Sequence, residues 1–109
     1  MTPEEAAAKL EEYRVLVDEV DRRIVELLNE RTDVVERIGE VKRLAKLAVY
    51  EPRREAQVFA NITEANRGPL TGDAVRRVFE RIIDEMRTVQ RMKIQAAAAA
   101  EKPGGQMGS

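Results

Sequence analysis

Leu10, Tyr13, Val17, Val20, Ile24, Leu27, Val34, Ile38 and Val41 recur at steps of three and four, broken only at position 31. That spacing lines one face of an α-helix. After Pro3 no proline or glycine interrupts the series before Gly39, and strong helix formers continue to about Lys46. Thr2-Pro3-Glu4-Glu5 suits a helix start: Thr2 caps, Pro3 fits the first helical position, and Glu5 completes a capping box. The pattern predicts one helix over residues 3–46, about 65 Å long at ~1.5 Å rise per residue.

Residues 47–52 (Leu-Ala-Val-Tyr-Glu-Pro) break the periodicity, and Pro52 suits the first position of a second helix. That helix is predicted over residues 52–66, with Ala56, Phe59 and Ile62 facing inward, and Asn66-Arg67-Gly68-Pro69 stops it. Thr71 or Asp73 caps a third helix that carries Val75, Val78, Phe79, Ile82, Ile83, Met86 and Val89 and fades near Gln95. The reading is an all-α domain over residues 1–95, built from one long helix and two shorter ones. Residues 96–109, an alanine run followed by a Gly-rich stretch, read as a low-complexity tail or linker.

A compact domain of this length has a radius of gyration of only about 13 Å. Two short helices cannot cover so long an apolar stripe, whereas a second copy of the chain can. An intertwined helical dimer through the long helix follows from the pattern.

Composition narrows the chemistry more than it narrows the fold. With 36% charged residues and four aromatics, the chain has the profile of amphipathic helices. Net charge is −1, with no basic excess to suggest nucleic acid. There is no Cys and no His, and the only Ser is the terminal Ser109. A thiolate nucleophile, a serine triad and the usual zinc ligand sets are thereby excluded, and neither a metal nor a cofactor is expected. The N-terminus carries no apolar stretch of signal-peptide or membrane-span length, so the expectation is a cytoplasmic chain.

Candidate chemistry lies in polar residues at positions where the stripes call for apolar ones. Arg31 occupies the heptad step after Leu27. Lys42 follows eleven residues later, nearly three full turns, on almost the same face and about 16 Å along. In the third helix the series Phe79, Ile83, Met86 continues to Gln90, and in the second Glu55 stands one turn before Phe59. Arg14 lies about 25 Å from Arg31 along the axis and is rotated about 100° from it, so only an antiparallel partner chain brings the two together.

Taken singly, each has an ordinary explanation. A polar residue at one core position often only sets register; Lys42 suits a helix C-terminus and Glu55 a first turn. Arg54 reads as a solvated surface residue and Arg14 as a charge flanking a helical seam. Together they place several cations and a carboxylate in a bundle interior, where desolvation is costly without a counter-charge. An anionic small molecule meets that need, and a dicarboxylate matches the forked geometry of arginine.

Arg14…Asp21, Leu27-Leu28-Asn29-Glu30-Arg31, Ile38-Gly39-Glu40-Val41-Lys42, Tyr50-Glu51-Pro52-Arg53-Arg54-Glu55 and Phe79…Ile82-Ile83…Gln90 stand in this order. In order and spacing, over roughly residues 5–93, the string resembles the AroQ-type, all-helical chorismate mutases. The resemblance implies a chorismate-binding homodimer in which Arg14 of the partner chain and Arg31 hold the substrate carboxylates. Lys42 would contact a carboxylate and the ether oxygen, and Gln90 would donate to that oxygen from the other side. Glu55 would accept from the ring hydroxyl with Glu51 nearby, Arg54 would support the pocket edge, and Ile38 and Ile83 would wall the ring. Two positions depart from the pattern: Glu51 stands where many relatives have Asp, and Met86 where some have a Ser that helps hold a carboxylate.

The implied reaction also fits the missing nucleophiles. Rearrangement of chorismate to prephenate is pericyclic and needs no proton transfer, only a frozen diaxial conformer and stabilised charge on the ether oxygen. A millionfold rate gain corresponds to roughly 8 kcal/mol of barrier lowering. The alternatives are an isochorismate–pyruvate lyase on the same anionic pocket, a regulatory mutase domain attached to or partnered with a DAHP synthase, and a ligand-free dimerisation module.

Overall fold

Three helices and no strand make up residues 1–101, the part of the chain that the computed structural model describes. They are α1 (Pro3–Ala45), α2 (Pro52–Ala65) and α3 (Gly72–Glu101), as the all-α reading expects. Two compact units, Met1–Asp33 and Val34–Ser109, divide the chain within α1. Among the described residues no helix is long and apolar enough to cross a membrane.

The first unit is the N-terminal part of α1. Its capping box forms: the Glu5 N–H donates to Thr2 Oγ1 at 3.1 Å and the Thr2 N–H to Glu5 Oε2 at 3.4 Å. Asn29 and Thr32 turn their side chains back onto the helix, donating to the carbonyls of Val25 and Leu28. The apolar series from Leu10 to Leu27 stays open, with every member at least 42% exposed. A lone helix has no second surface against which to bury such a stripe.

In the second unit α1 buries Val35, Gly39 and Lys42, and α3 buries Ile83, Met86 and Gln90. The α3 set is the one the sequence pattern marks; of the α1 set it marks Lys42, as a polar residue, but neither Val35 nor Gly39. Val34, Ile38 and Val41 all remain exposed, and the buried face lies one residue along, rotated by about 100°. Gly39 lies at this contact. A Cβ at that position would stand 3.5 Å from Gln90 Cγ and 3.7 Å from Gln90 Cα. These are ordinary contact distances, so a small residue lets α1 approach α3 here, whereas a Val or Ile side chain would hold the helices farther apart. No residue of α2 is fully buried. Phe59 and Ile62 are half-buried as the inward pattern predicts, whereas Ala56 is exposed.

The turns follow from local chemistry. At the end of α1 the Leu47 N–H donates to the Lys42 carbonyl at 2.8 Å and the Lys46 N–H to the Arg43 carbonyl at 3.3 Å. This is a Schellman pairing, with Lys46 in the left-handed position that glycine usually takes (φ 58°). Past α2, Asn66 accepts from the Gly68 N–H and donates to the Leu70 carbonyl. Thr71, rather than Asp73, caps α3 by accepting from the Ala74 N–H at 3.1 Å.

Instead of fading near Gln95, α3 continues to Glu101. Alanine is the strongest helix former, and Glu101 pairs with Arg43. Residues 96–101 of the expected tail are thus helical, and the rest of that tail lies outside the described residues. Arg43 also pairs with Glu40 at 2.6 Å. Its hydrogen bond holds the Glu40 carboxyl below its ordinary value, while the Arg43 guanidinium is shifted upward. The sign of this linkage makes the pair's contribution present above the ordinary carboxylate range and lost as pH falls through the lowered Glu40 value. At an exposed site the contribution is small.

A non-glycine residue in the left-handed region costs energy that glycine avoids. Lys46→Gly is therefore expected to raise the unfolding free energy by about 0.5–1 kcal/mol in urea titration. An unchanged or lowered midpoint would show that the turn is not strained by its side chain.

Candidate active site

Lys42 is the buried cation of the second unit, with 4% of its surface exposed. It sits in the last turn of α1, where the helix dipole favours positive charge. Its ammonium donates to Gln90 Oε1 at 3.0 Å and to the Val49 carbonyl at 2.9 Å. Glu51 Oε2 stands 3.4 Å away as a counter-charge. Two neutral acceptors and one carboxylate thus replace the water that the ammonium gives up. The loop after α1 arrives there because the Schellman turn reverses the chain at Lys46 and returns residues 49–51 over the Lys42 side chain.

Gln90 is also buried. Because its oxygen accepts from Lys42, the amide orientation is defined by its partner, which leaves the Nε2 donors on the other side.

Glu51 and Glu55 begin α2. Glu51 is the N-cap residue, yet its side chain makes no capping hydrogen bond; it turns to Lys42 instead. The Glu55 N–H closes the first turn on the Glu51 carbonyl at 3.0 Å. The Glu55 carboxylate, 22% exposed, lies 3.5 Å from Arg87 Nε. The guanidinium of Arg87 also stands over the Tyr50 ring at 5.8 Å.

The sequence-derived candidates divide clearly. Lys42, Gln90 and Glu51 meet, and Glu55 lies in the first turn of α2. Ile83 and Met86 are buried on the α3 face that ends in Gln90, and Ile38 is exposed beside buried Gly39. Arg54 is exposed and hydrogen-bonds Gln57. Arg14 and Arg31 belong to the first unit, where Arg14 is exposed and Arg31 half-buried. Sequence reasoning missed Arg87, although it sits four residues after Ile83 and three before Gln90, on the face the apolar pattern had already marked. It also missed the Val49 carbonyl, which no side-chain pattern can reveal. Among the described residues no group of three or more acidic side chains is arranged to hold a metal ion.

Comparison with known proteins gives this geometry a setting. The family pattern of chorismate mutase type II matches residues 13–91. A bifunctional chorismate mutase/prephenate dehydratase of Neisseria gonorrhoeae is 39% identical over 79 residues, covering 72% of this chain and 21% of that protein. A 4-amino-4-deoxychorismate mutase of Streptomyces pristinaespiralis is 37% identical over 59 residues, covering 54% of this chain and 46% of that protein. The solved chorismate mutase (form II) of Thermus thermophilus superposes with a TM-score of 0.74 at 31% identity, covering 76% of this chain and 94% of that one. The chain spans about a fifth of the length of the Neisseria protein.

The buried Lys42 ammonium is the donor to both Gln90 Oε1 and the Val49 carbonyl, so its removal has a stability readout. Lys42→Met keeps the length of the side chain and removes a desolvated charge, and half-exposed Glu51 can then hydrate. The unfolding free energy is nevertheless expected to fall by about 1–3 kcal/mol, because buried Gln90 Oε1 and the Val49 carbonyl lose their donor. An unchanged or raised midpoint in urea titration would mean that neither acceptor depends on the ammonium.

Proposed function

Since this chain belongs to the type II chorismate mutase family, we propose that it catalyses the rearrangement of chorismate to prephenate, and that it does so as a homodimer. The observation that carries the proposal is the hydrogen bond between the buried ammonium of Lys42 and the buried amide of Gln90. It supplies two fixed donors side by side, one charged and one neutral, with no nucleophile between them. A pericyclic reaction asks for such a pair: negative charge grows on the breaking ether oxygen, and preorganised donors stabilise it without a proton transfer.

Of the three contacts to Lys42, the one to half-exposed Glu51 is the longest. Substrate would displace that contact and keep the other two, so that the ammonium stays in place while it gains the ether oxygen and a carboxylate. Arg31, and Arg14 of the partner chain, would hold the carboxylates through paired hydrogen bonds. Glu55 would accept from the ring hydroxyl, Arg54 would support the pocket edge, and Ile38, Ile83 and Met86 would line the ring.

The direct test is the ultraviolet loss of chorismate with identification of the product. Release of pyruvate in place of prephenate would point to a lyase. Lys42→Ala and Gln90→Ala are each expected to lower kcat by about a hundredfold or more while the protein stays folded. Because an amide does not titrate, the parent rate should change little between pH 6 and 8. Gln90→Glu must be protonated to donate, so its rate should fall as pH rises through the same window. Parent-like turnover in either alanine variant would remove that residue from the mechanism.

The homodimer is supported by the exposed stripe from Leu10 to Val41, an apolar surface of a kind that water-soluble chains cover. In this arrangement each site uses Arg14 from one chain and Lys42 from the other. Arg14→Ala and Lys42→Ala variants, each nearly inactive, should recover about a quarter of parental activity after mixing and exchange of subunits. Half of the assemblies are then mixed, and one of their two sites is intact. A mixture no more active than its parts would place both residues in one chain's site.

A second reading follows from the Streptomyces relative, whose named substrate carries an amine in place of the ring hydroxyl. The same ether-oxygen donors would serve that rearrangement too.

A further inference from the structure

We infer that Arg87 is a specificity-determining positioning residue, which acts through Glu55 to select a substrate with a neutral ring hydroxyl over one with a cationic amine at the same carbon. The inference rests on the mutase reading above and on the role of Glu55 in that reading. It concerns a residue for which neither the sequence pattern nor the resemblance supplied a role.

Arg87 lies on α3 one turn before Gln90, facing the first turn of α2. Its Nε is 3.5 Å from Glu55 Oε2, an ion-pair distance. That nitrogen is buried and, among the described residues, is the side-chain atom left without a hydrogen bond. Arg87 therefore gives Glu55 a positive neighbour without consuming a lone pair of the carboxylate. The guanidinium is kept there by the Tyr50 ring at 5.8 Å and by Asp84 Oδ1 at 3.9 Å, one turn back on its own helix.

Two consequences follow for a ligand that reaches Glu55. A half-buried carboxylate with no cation beside it would favour an ammonium, because charge-assisted hydrogen bonds are about twice as strong as neutral ones. With Arg87 in place that demand is already met. The carboxylate still accepts a hydrogen bond from a hydroxyl, whereas an incoming ammonium would stand beside a guanidinium in a partly desolvated crevice. Like charges so placed repel strongly. The Arg87–Glu55 pair thus works as a filter on the charge of one substituent, set apart from the ether oxygen where Lys42 and Gln90 act.

The experiment compares kcat/KM for chorismate and for its 4-amino-4-deoxy analogue in the parent, in Arg87→Met and in Arg87→Lys, with folding checked by circular dichroism. The parent is expected to prefer the hydroxyl substrate. Arg87→Met should narrow that preference by about tenfold or more, chiefly through KM, while Arg87→Lys, which restores the charge, keeps it within about threefold. A purely structural role would lower both rates together and leave their ratio where it was; that result overturns the inference and leaves the mutase reading intact. In a Glu55→Gln background Arg87→Met should no longer move the ratio, and an undiminished change there would overturn action through Glu55. A parent protein that converts neither compound would instead sink the mutase reading itself.

Discussion

An ammonium taken out of water must find acceptors, and the second unit is arranged around how Lys42 finds them. The Gln90 oxygen comes from α3, and the Val49 carbonyl and the Glu51 carboxylate come from the loop that leads into α2. Each constrains the stretch that provides it. The Gln90 contact requires α3 to lie close against α1, which bare Gly39 permits. The Val49 contact requires the chain to reverse immediately after α1, which the Schellman pairing at Lys46 achieves at the cost of a left-handed non-glycine residue. The Glu51 contact draws that side chain away from capping α2, which begins with Pro52, a residue with no N–H of its own to satisfy.

This packing leaves α1 with two faces of different kinds. Val35, Gly39 and Lys42 are used within the chain, and they are small or polar enough for close approach. Val34, Ile38 and Val41, next to them, continue the longer stripe and stay open. Helix geometry keeps the two about 100° apart, so one helical neighbour cannot cover both. The proposed homodimer resolves this division of labour, with the polar face building a pocket and the apolar face meeting a second copy.

The chemistry available in such a pocket is narrow and sufficient. Fixed cations, carboxylates and an amide can hold a dianion, freeze a conformer and stabilise a developing oxyanion, which together make up a pericyclic rearrangement. Two like-built pairs, Lys42 with Gln90 and Arg87 with Glu55, bring charge and hydrogen-bonding capacity together while leaving one partner's donors or lone pairs available. Under the proposed assignment they address different ends of the substrate, one the bond that breaks and the other the ring substituent that identifies the molecule.

Much of this was legible in the residue pattern. The three helices, their caps at Thr2 and Thr71, the stop at Asn66–Gly68 and the α3 face ending in Gln90 all depend on neighbours three or four positions away. A sequence displays such relations directly. Gln90 was marked as a polar residue continuing an apolar series, and Lys42 by its eleven-residue spacing from Arg31, for the same reason. Tertiary structure alone decided which face of α1 turns inward, because an apolar stripe says that something must cover it but not which chain does so. Structure alone also decided that Glu51 serves Lys42 rather than its own helix, that a backbone carbonyl completes the ammonium's shell, and that Arg87 stands beside Glu55. Those contacts depend on how a turn folds back or on how distant segments pack, neither of which the spacing of residue types records.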